Sequence, residues 1–185
     1  MIKKIIIFFL FFNFFFPLKA SIKENIILNL QKIDNLTFNF KQKIDEKIEE
    51  GKCIIQYPKK IYCTYDNLNE KIMVSNGKSL VIKNKNINQY YLYPLEKTPL
   101  DLILDKEFLI RNIKKSKERV IDDKYLNFKI LNNENKINIF FDKKNLNLIG
   151  WQTEDIYQNL VITYISGIKT NKAINKKIFK LPKMN

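Results

Sequence analysis

The chain has 185 residues, with 33 Lys and Arg against 19 Asp and Glu, a formal charge of +14, and no histidine. Without histidine the usual general base, the Ser-His and Cys-His nucleophile pairs and the commonest metal ligand are excluded, and four glycines leave no room for a phosphate-cradling loop. The cations are scattered among Asn and Ile instead of gathered in one block, so the excess favours an anionic surface or partner without pointing to nucleic acid.

In chain order, MIKKIIIFFLFFNFFFPLKA comes first: Lys3 and Lys4, an apolar run from Ile5 to Phe16, then Pro17 and a small residue at Ala20. This is the layout of a secretory signal peptide with cleavage after Ala20. A retained anchor is the competing reading, but the run is 12 residues long and contains Asn13, against the roughly 20 residues that a spanning helix needs. The expected organisation is a cleaved signal peptide at 1–20 and one domain at 21–185, where losing Lys3, Lys4 and Lys19 takes the charge from +14 to +11. A domain of that size can bury a sizeable core. No cysteine lies near the cleavage point, so the mature chain is expected to carry no lipid of its own.

Ser21 followed by Glu24 is a capping-box pattern, and Ile22, Ile26, Ile27, Leu30 and Ile33 then recur at helical spacing. After Asn35 the period becomes two, with Leu36, Phe38 and Phe40 on one face. Cys53, Ile55 and Tyr57 share a face that Ile61, Cys63 and Tyr65 continue beyond a turn at Pro58 and Lys59. Ile72 to Ser75 runs into Asn76 and Gly77, a strong hairpin signal, and strands follow at Leu80 to Ile82 and Tyr90 to Tyr93. In EKTPLDLILDK, Thr98 is placed to cap, Pro99 to open a helix and Asp101 to reach back, with Leu100, Ile103 and Leu104 as its apolar stripe. A mixed segment from Phe108 to Lys117 precedes strands at Tyr125 to Leu131, Ile137 to Phe141, Leu146 to Trp151, Leu160 to Ile165 and Ile178 to Leu181. Ten or eleven strands joined by short turns predict one large antiparallel sheet, curved or partly closed, with helices on one face.

Cys53 and Cys63 are the only cysteines. In an exported chain an even pair at close spacing reads as a disulfide, and across such a hairpin the two fall on one face of neighbouring strands. Two reduced thiols packed as small hydrophobes remain the alternative. The adjacent acids Glu49 with Glu50 and Asp122 with Asp123 read as solvated turn residues, not as a tuned catalytic pair. Phe38, Phe40, Phe128 and Ile139 are either plain core or the wall of a pocket, and periodicity does not separate the two.

Several stretches stand in a telling order: Phe40-Lys41-Gln42 ending a strand, a strand from Gly51 into Tyr57-Pro58, VSNGKSL at Val74 to Leu80, TPLDLIL at Thr98 to Leu104, Trp151 followed by Asp155, and Phe179 to Pro182. Together they resemble the outer-membrane lipoprotein carrier protein family, the periplasmic LolA type. The resemblance implies an α+β, mainly β fold: an unclosed antiparallel barrel covered on its concave side by a few short helices, around an apolar cavity. It implies a monomeric periplasmic carrier, with no enzymatic activity, cofactor, metal or nucleic-acid partner. Such a carrier takes lipidated lipoproteins from an inner-membrane lipoprotein-releasing ABC transporter to an outer-membrane receptor. The cavity wall would comprise Phe38, Phe40, Ile55, Tyr57, Ile61, Tyr65, Leu126, Phe128, Ile139 and Trp151, and the lid would present Leu100, Ile103 and Leu104. Better-known carriers have a lid-holding arginine before the hairpin proline, where this chain has Tyr57. Lys59 and Lys60 would then face an acidic partner or simply solvent. A lipid-sensing regulatory domain of the same fold is the alternative function.

Overall fold

The computed structural model describes residues 21–132, 135–155 and 158–184; the expected signal peptide at 1–20 lies outside them. Helix α1 (Ile22–Gln31) begins as its sequence dictates: Ser21 Oγ accepts from the Glu24 N–H, and the Glu24 carboxylate accepts from the Ser21 N–H at 2.6 Å. Its buried stripe is Ile26, Ile27 and Leu30, while Ile22 stays exposed.

Eleven strands follow: β1 (Asn35–Ile44), β2 (Lys47–Gln56), β3 (Lys60–Tyr65), β4 (Lys71–Asn76), β5 (Ser79–Asn84), β6 (Gln89–Pro94), β7 (Glu118–Ile121), β8 (Tyr125–Asn132), β9 (Asn135–Asp142), β10 (Leu148–Glu154) and β11 (Leu160–Thr170). They form one antiparallel sheet in the order β6-β5-β4-β3-β2-β1-β11-β10-β9-β8-β7. The first and last strands therefore meet in the middle, and the two free edges, β6 and β7, come from the middle of the chain. The connection between those edges is where the remaining helices lie: α2 (Leu100–Ile103) and α3 (Lys106–Lys115). An unclosed barrel with helices bridging its open seam results.

Concave-face residues Leu36, Phe38, Ile55, Ile61, Leu126, Phe128, Ile139 and Phe141 form one core with Ile26 and Leu30 of α1 and with Leu109, Ile110 and Ile113 of α3. Two lysines tie α1 to α3. Lys23 Nζ donates to the Ser116 carbonyl at 2.8 Å, and Lys106 Nζ donates to the Ile33 and Gln31 carbonyls just past and at the C-terminus of α1 at 2.8 and 3.2 Å. Gly51 lies inside β2 opposite Phe40. A Cβ there would sit 2.1 Å from the Thr64 carbonyl oxygen and 2.9 Å from the Phe40 ring, so the strand tolerates only glycine at this close approach.

Several sequence expectations are corrected. The segment from Phe108 to Lys117 is mostly helix α3, capped by Asp105, whose carboxylate accepts from the Phe108 N–H at 2.9 Å. Thr98 does not cap α2: its hydroxyl donates to the Leu95 carbonyl at 2.8 Å, Pro99 is the N-cap, and the helix has 4 residues. The strand around Gly51 starts earlier, at Lys47, and the tight loop after β4 is Gly77-Lys78, with Asn76 Oδ1 accepting from the Lys78 and Ser79 N–H groups. Ile178 to Leu181 is not a strand; Lys176–Phe179 forms a 3-10 turn that packs against β3 and β4. Phe179 is buried there, outside the main core, like the outward-facing Val74 and Val81. The short edge β7 makes up the number of strands.

Candidate functional site

Beneath α2 the concave side is not filled. A cavity of about 260 Å³ remains, walled by Phe38, Phe40, Cys53, Ile61, Tyr65, Met73, Leu80, Ile82, Trp151 and Val161 and roofed by Pro99, Leu100 and Ile103. Trp151 meets the Phe38 ring edge-on at 6.3 Å between centres, and Phe40 meets Tyr65 in the same way at 5.0 Å, so two edge-to-face aromatic pairs stand in the wall.

The structure divides the expected wall in two. Phe38, Phe40, Ile61, Tyr65 and Trp151 line the cavity. Ile55, Leu126, Phe128 and Ile139 belong to the packed core that α1 and α3 help to fill, and Tyr57 stands at its margin, with Lys106 Nζ 5.8 Å from its ring centre. In the roof Leu100 and Ile103 face the cavity, whereas Leu104 is fully buried elsewhere. Sequence reading missed Met73, Leu80, Ile82 and Val161. The signal for Met73 and Ile82 was there: Met73 pairs with Cys63 and with Ile82 across two hairpins, so one face passes through all three. A larger depression of about 560 Å³, around Tyr125, Phe140, Ile162 and Tyr164, opens on the convex face. No helix residue lines it, whereas α2 borders the more apolar concave cavity, which is the candidate site.

Cys53 pairs with Cys63 across β2 and β3, their Cα atoms are 4.1 Å apart and their sulfurs are bonded. Cys53 lies in the cavity wall, so the disulfide fastens the two strands where packing on the inner side is incomplete.

At one end the lining turns polar. Glu49, expected in a solvated turn, is buried inside β2, with Lys47 Nζ and Lys71 Nζ each 2.7 Å from its carboxylate. Burial raises the pKa of Glu49, but the hydrogen bonds and charges of Lys47 and Lys71 outweigh it and leave the carboxyl below its ordinary value. For Lys71 burial is the stronger influence and lowers the ammonium pKa against the opposing pull of Glu49. The two directions are compatible, because Glu49 has two cations while Lys71 shares one anion with a competing lysine. Gln42 Nε2 donates to Thr163 Oγ1 at 2.9 Å at the same end.

The geometry is an apolar cavity bordered by a short helix inside an unclosed barrel. The family model of the outer membrane lipoprotein carrier protein LolA matches residues 31–182. This chain belongs to the LolA family. Among solved structures it is similar to a LolA superfamily protein from Nitrosomonas europaea, at 10% identity and TM-score 0.45, covering 88% of this chain and 99% of that one. It is also similar to a putative outer membrane lipoprotein-sorting protein domain from Vibrio parahaemolyticus, at 7% identity and TM-score 0.47, covering 84% and 95%. Comparison with curated proteins found no match. LolA-family proteins are periplasmic and bind lipoproteins as carriers, not as enzymes, and among the described residues no helix is long and apolar enough to cross a membrane.

In this LolA-family chain α2 is joined to the β2–β3 turn by Lys59, which the sequence offered to an acidic partner or to solvent. Lys59, in the β2–β3 turn, places Nζ 3.0 Å from both carboxylate oxygens of Asp101 in α2 and 3.8 Å from Asp105. Its backbone N–H donates to the Leu104 carbonyl at 2.9 Å, and its carbonyl accepts from Ser75 Oγ at 2.9 Å. Lys59 stands two residues beyond Tyr57 on a left-handed backbone, φ 63°.

Proposed function

We propose that this protein carries lipidated lipoproteins across the periplasm, receiving them from an inner-membrane lipoprotein-releasing ABC transporter and giving them up to an outer-membrane receptor. The observation that carries the reading is an apolar cavity roofed by a 4-residue helix at the seam where the barrel stays open. Each acyl CH₂ moved out of water is worth about 0.8 kcal/mol, so a client with two or three chains does not leave a bilayer unaided at a useful rate. At about 260 Å³ the cavity in this conformation falls below the roughly 300 to 1,000 Å³ of ordinary small-molecule sites. Loading therefore requires α2 to swing away. Leu100 and Ile103 cover the cavity when it is empty and the seam widens when chains enter, while α1 and α3 stay joined through Lys23 and Lys106. Transfer runs down a gradient of affinity, with no bond made or broken in this chain.

Export with cleavage after Ala20, leaving a monomeric domain from residue 21, belongs to the same proposal, and the intact mass of the purified mature protein tests it. The function is tested by releasing the protein from cells and identifying what copurifies, and by depleting it. An acylated client in the preparation and lipoproteins held at the inner membrane on depletion are expected. Unchanged lipoprotein localisation with an altered envelope stress response would instead assign a lipid-sensing regulatory role.

A further inference from the structure

The polar end of the cavity is opposite in charge to the chain as a whole. The formal charge of the chain is +14, yet the lining holds three carboxylates, Glu49, Glu154 and Asp155, against the single ammonium of Lys71. Lys71 Nζ lies 2.7 Å from Glu49 and offsets it. Lys47, the other partner of Glu49, stands outside the lining with its side chain 68% exposed. Of the two carboxylates that remain, Asp155 accepts from the Asn159 N–H and side-chain amide at 2.9 and 3.1 Å. The Glu154 carboxylate has no hydrogen-bond or ion-pair partner among the described residues and is exposed at the mouth.

A buried hydroxyl beside it is also without a partner. Across the inner face Glu49, Gln42, Thr163 and Trp151 share one rung of β2, β1, β11 and β10, and Lys47, Ile44, Val161 and Thr153 share another, two residues further along each strand. Thr163 Oγ1 is satisfied by Gln42 Nε2. Thr153 is only 8% exposed and lines the cavity, but its hydroxyl makes no hydrogen bond among the described residues. A buried polar group in that state costs free energy. Carboxylate and hydroxyl oxygens both accept hydrogen bonds, and an ammonium brings three N–H donors and the opposite charge.

We propose that Glu154 and Thr153 form an ammonium site at the mouth of the cavity, and that the clients are acylated peptides with an ammonium beside their acyl chains: the free α-amino group of the lipid-bearing terminal residue or the side chain of a lysine that follows it. The ammonium donates to the Glu154 carboxylate and the Thr153 hydroxyl. The chains lie between Phe38, Phe40 and Trp151 on one side and Leu100 and Ile103 on the other. The inference rests on the acyl-carrier reading and names the ligand class of the same cavity.

Three lipopeptides with the same two short acyl chains test this on the mature protein. One has a free amino terminus and is otherwise neutral, the second is its N-acetylated form, and the third is N-acetylated with a lysine next to the lipid-bearing residue. Binding is read from the fluorescence of Trp151, the single tryptophan of the chain, which lines the cavity. For the unaltered protein about fivefold tighter binding of at least one cationic peptide over the neutral one is expected, from a partly screened charge pair and a hydrogen bond. The tighter of the two cationic peptides identifies the source of the ammonium. Glu154→Gln brings the three affinities within about twofold of one another, and Thr153→Val weakens the preferred peptide about twofold relative to the neutral one. Equal binding of all three by the unaltered protein, or a preference that Glu154→Gln leaves intact, overturns the ammonium site and leaves the carrier reading standing. Failure of every peptide to bind overturns both.

Discussion

Lys59→Met tests the lid directly. Methionine keeps an unbranched stem of similar length and leaves the backbone donation to the Leu104 carbonyl in place, so the variant removes little besides the ammonium. The pair it breaks is close, 3.0 Å to both Asp101 oxygens, but the side chains are 33% and 15% exposed. An exposed pair would contribute under about 1 kcal/mol, and a hydrogen bond to a charged group about 1.5 to 3 kcal/mol. A value near 1.5 kcal/mol is appropriate to partial screening, which is about tenfold in the equilibrium between closed and open lid. While the closed state dominates, apparent affinity scales with the open fraction, so Lys59→Met should bind a neutral apolar probe about tenfold more tightly. Titration with an environment-sensitive fluorophore at low and high ionic strength measures it. The unaltered protein should bind better as salt screens the pair, and the variant should show little salt dependence. A variant that binds no tighter and keeps the same salt response would refute the reasoning.

Three further outcomes are expected. Replacing Cys53 and Cys63 together with Ala should cost about 2 to 3 kcal/mol by the chain-entropy argument for a short loop, and affinity for acyl ligand should change less; a melting temperature in oxidising buffer equal to that of the unaltered protein would count against the clamp. Gly51→Ala should lower stability by more than about 2 kcal/mol in a denaturant titration, because the new methyl meets the backbone oxygen of Thr64 at 2.1 Å. The Glu49 pKa is depressed in the folded state, so its contribution to stability is complete above the ordinary value of 4.5 and fades as the pH falls through its lowered folded value. Melting curves across that range should be shallower in Glu49→Gln, and an identical acid profile would show that the pair does not stabilise the fold.

What was legible in the sequence was whatever short-range chemistry dictates. Ser21 and Glu24 mark the start of α1 because a capping box needs only four consecutive residues. Period-two alternation reveals β1 to β6, and the distance between Cys53 and Cys63 across one turn makes their pairing readable. Helix α3 was hidden because Leu109, Ile110 and Ile113 are set among Lys, Arg and Asn, and their apolar face has meaning only against α1. Ile178 read as a strand residue because an apolar residue near the C-terminus looks the same whether it pairs in a sheet or belongs to a turn docked on its outside.

Local chemistry sets the capped helix, the ladder of hairpins and an inner face rich in aromatic and branched residues. Which of those residues border empty space depends on how the elements pack. Phe38 and Phe128 follow the same alternation, yet one lines the cavity and the other lies in solid core, because burial depends on what stands opposite. Here that is settled by where the connection between β6 and β7 lays α2 and α3. The same placement brings Asp101 to Lys59, 42 residues away in sequence, and no local pattern distinguishes a lysine paired with a distant helix from one that only meets water.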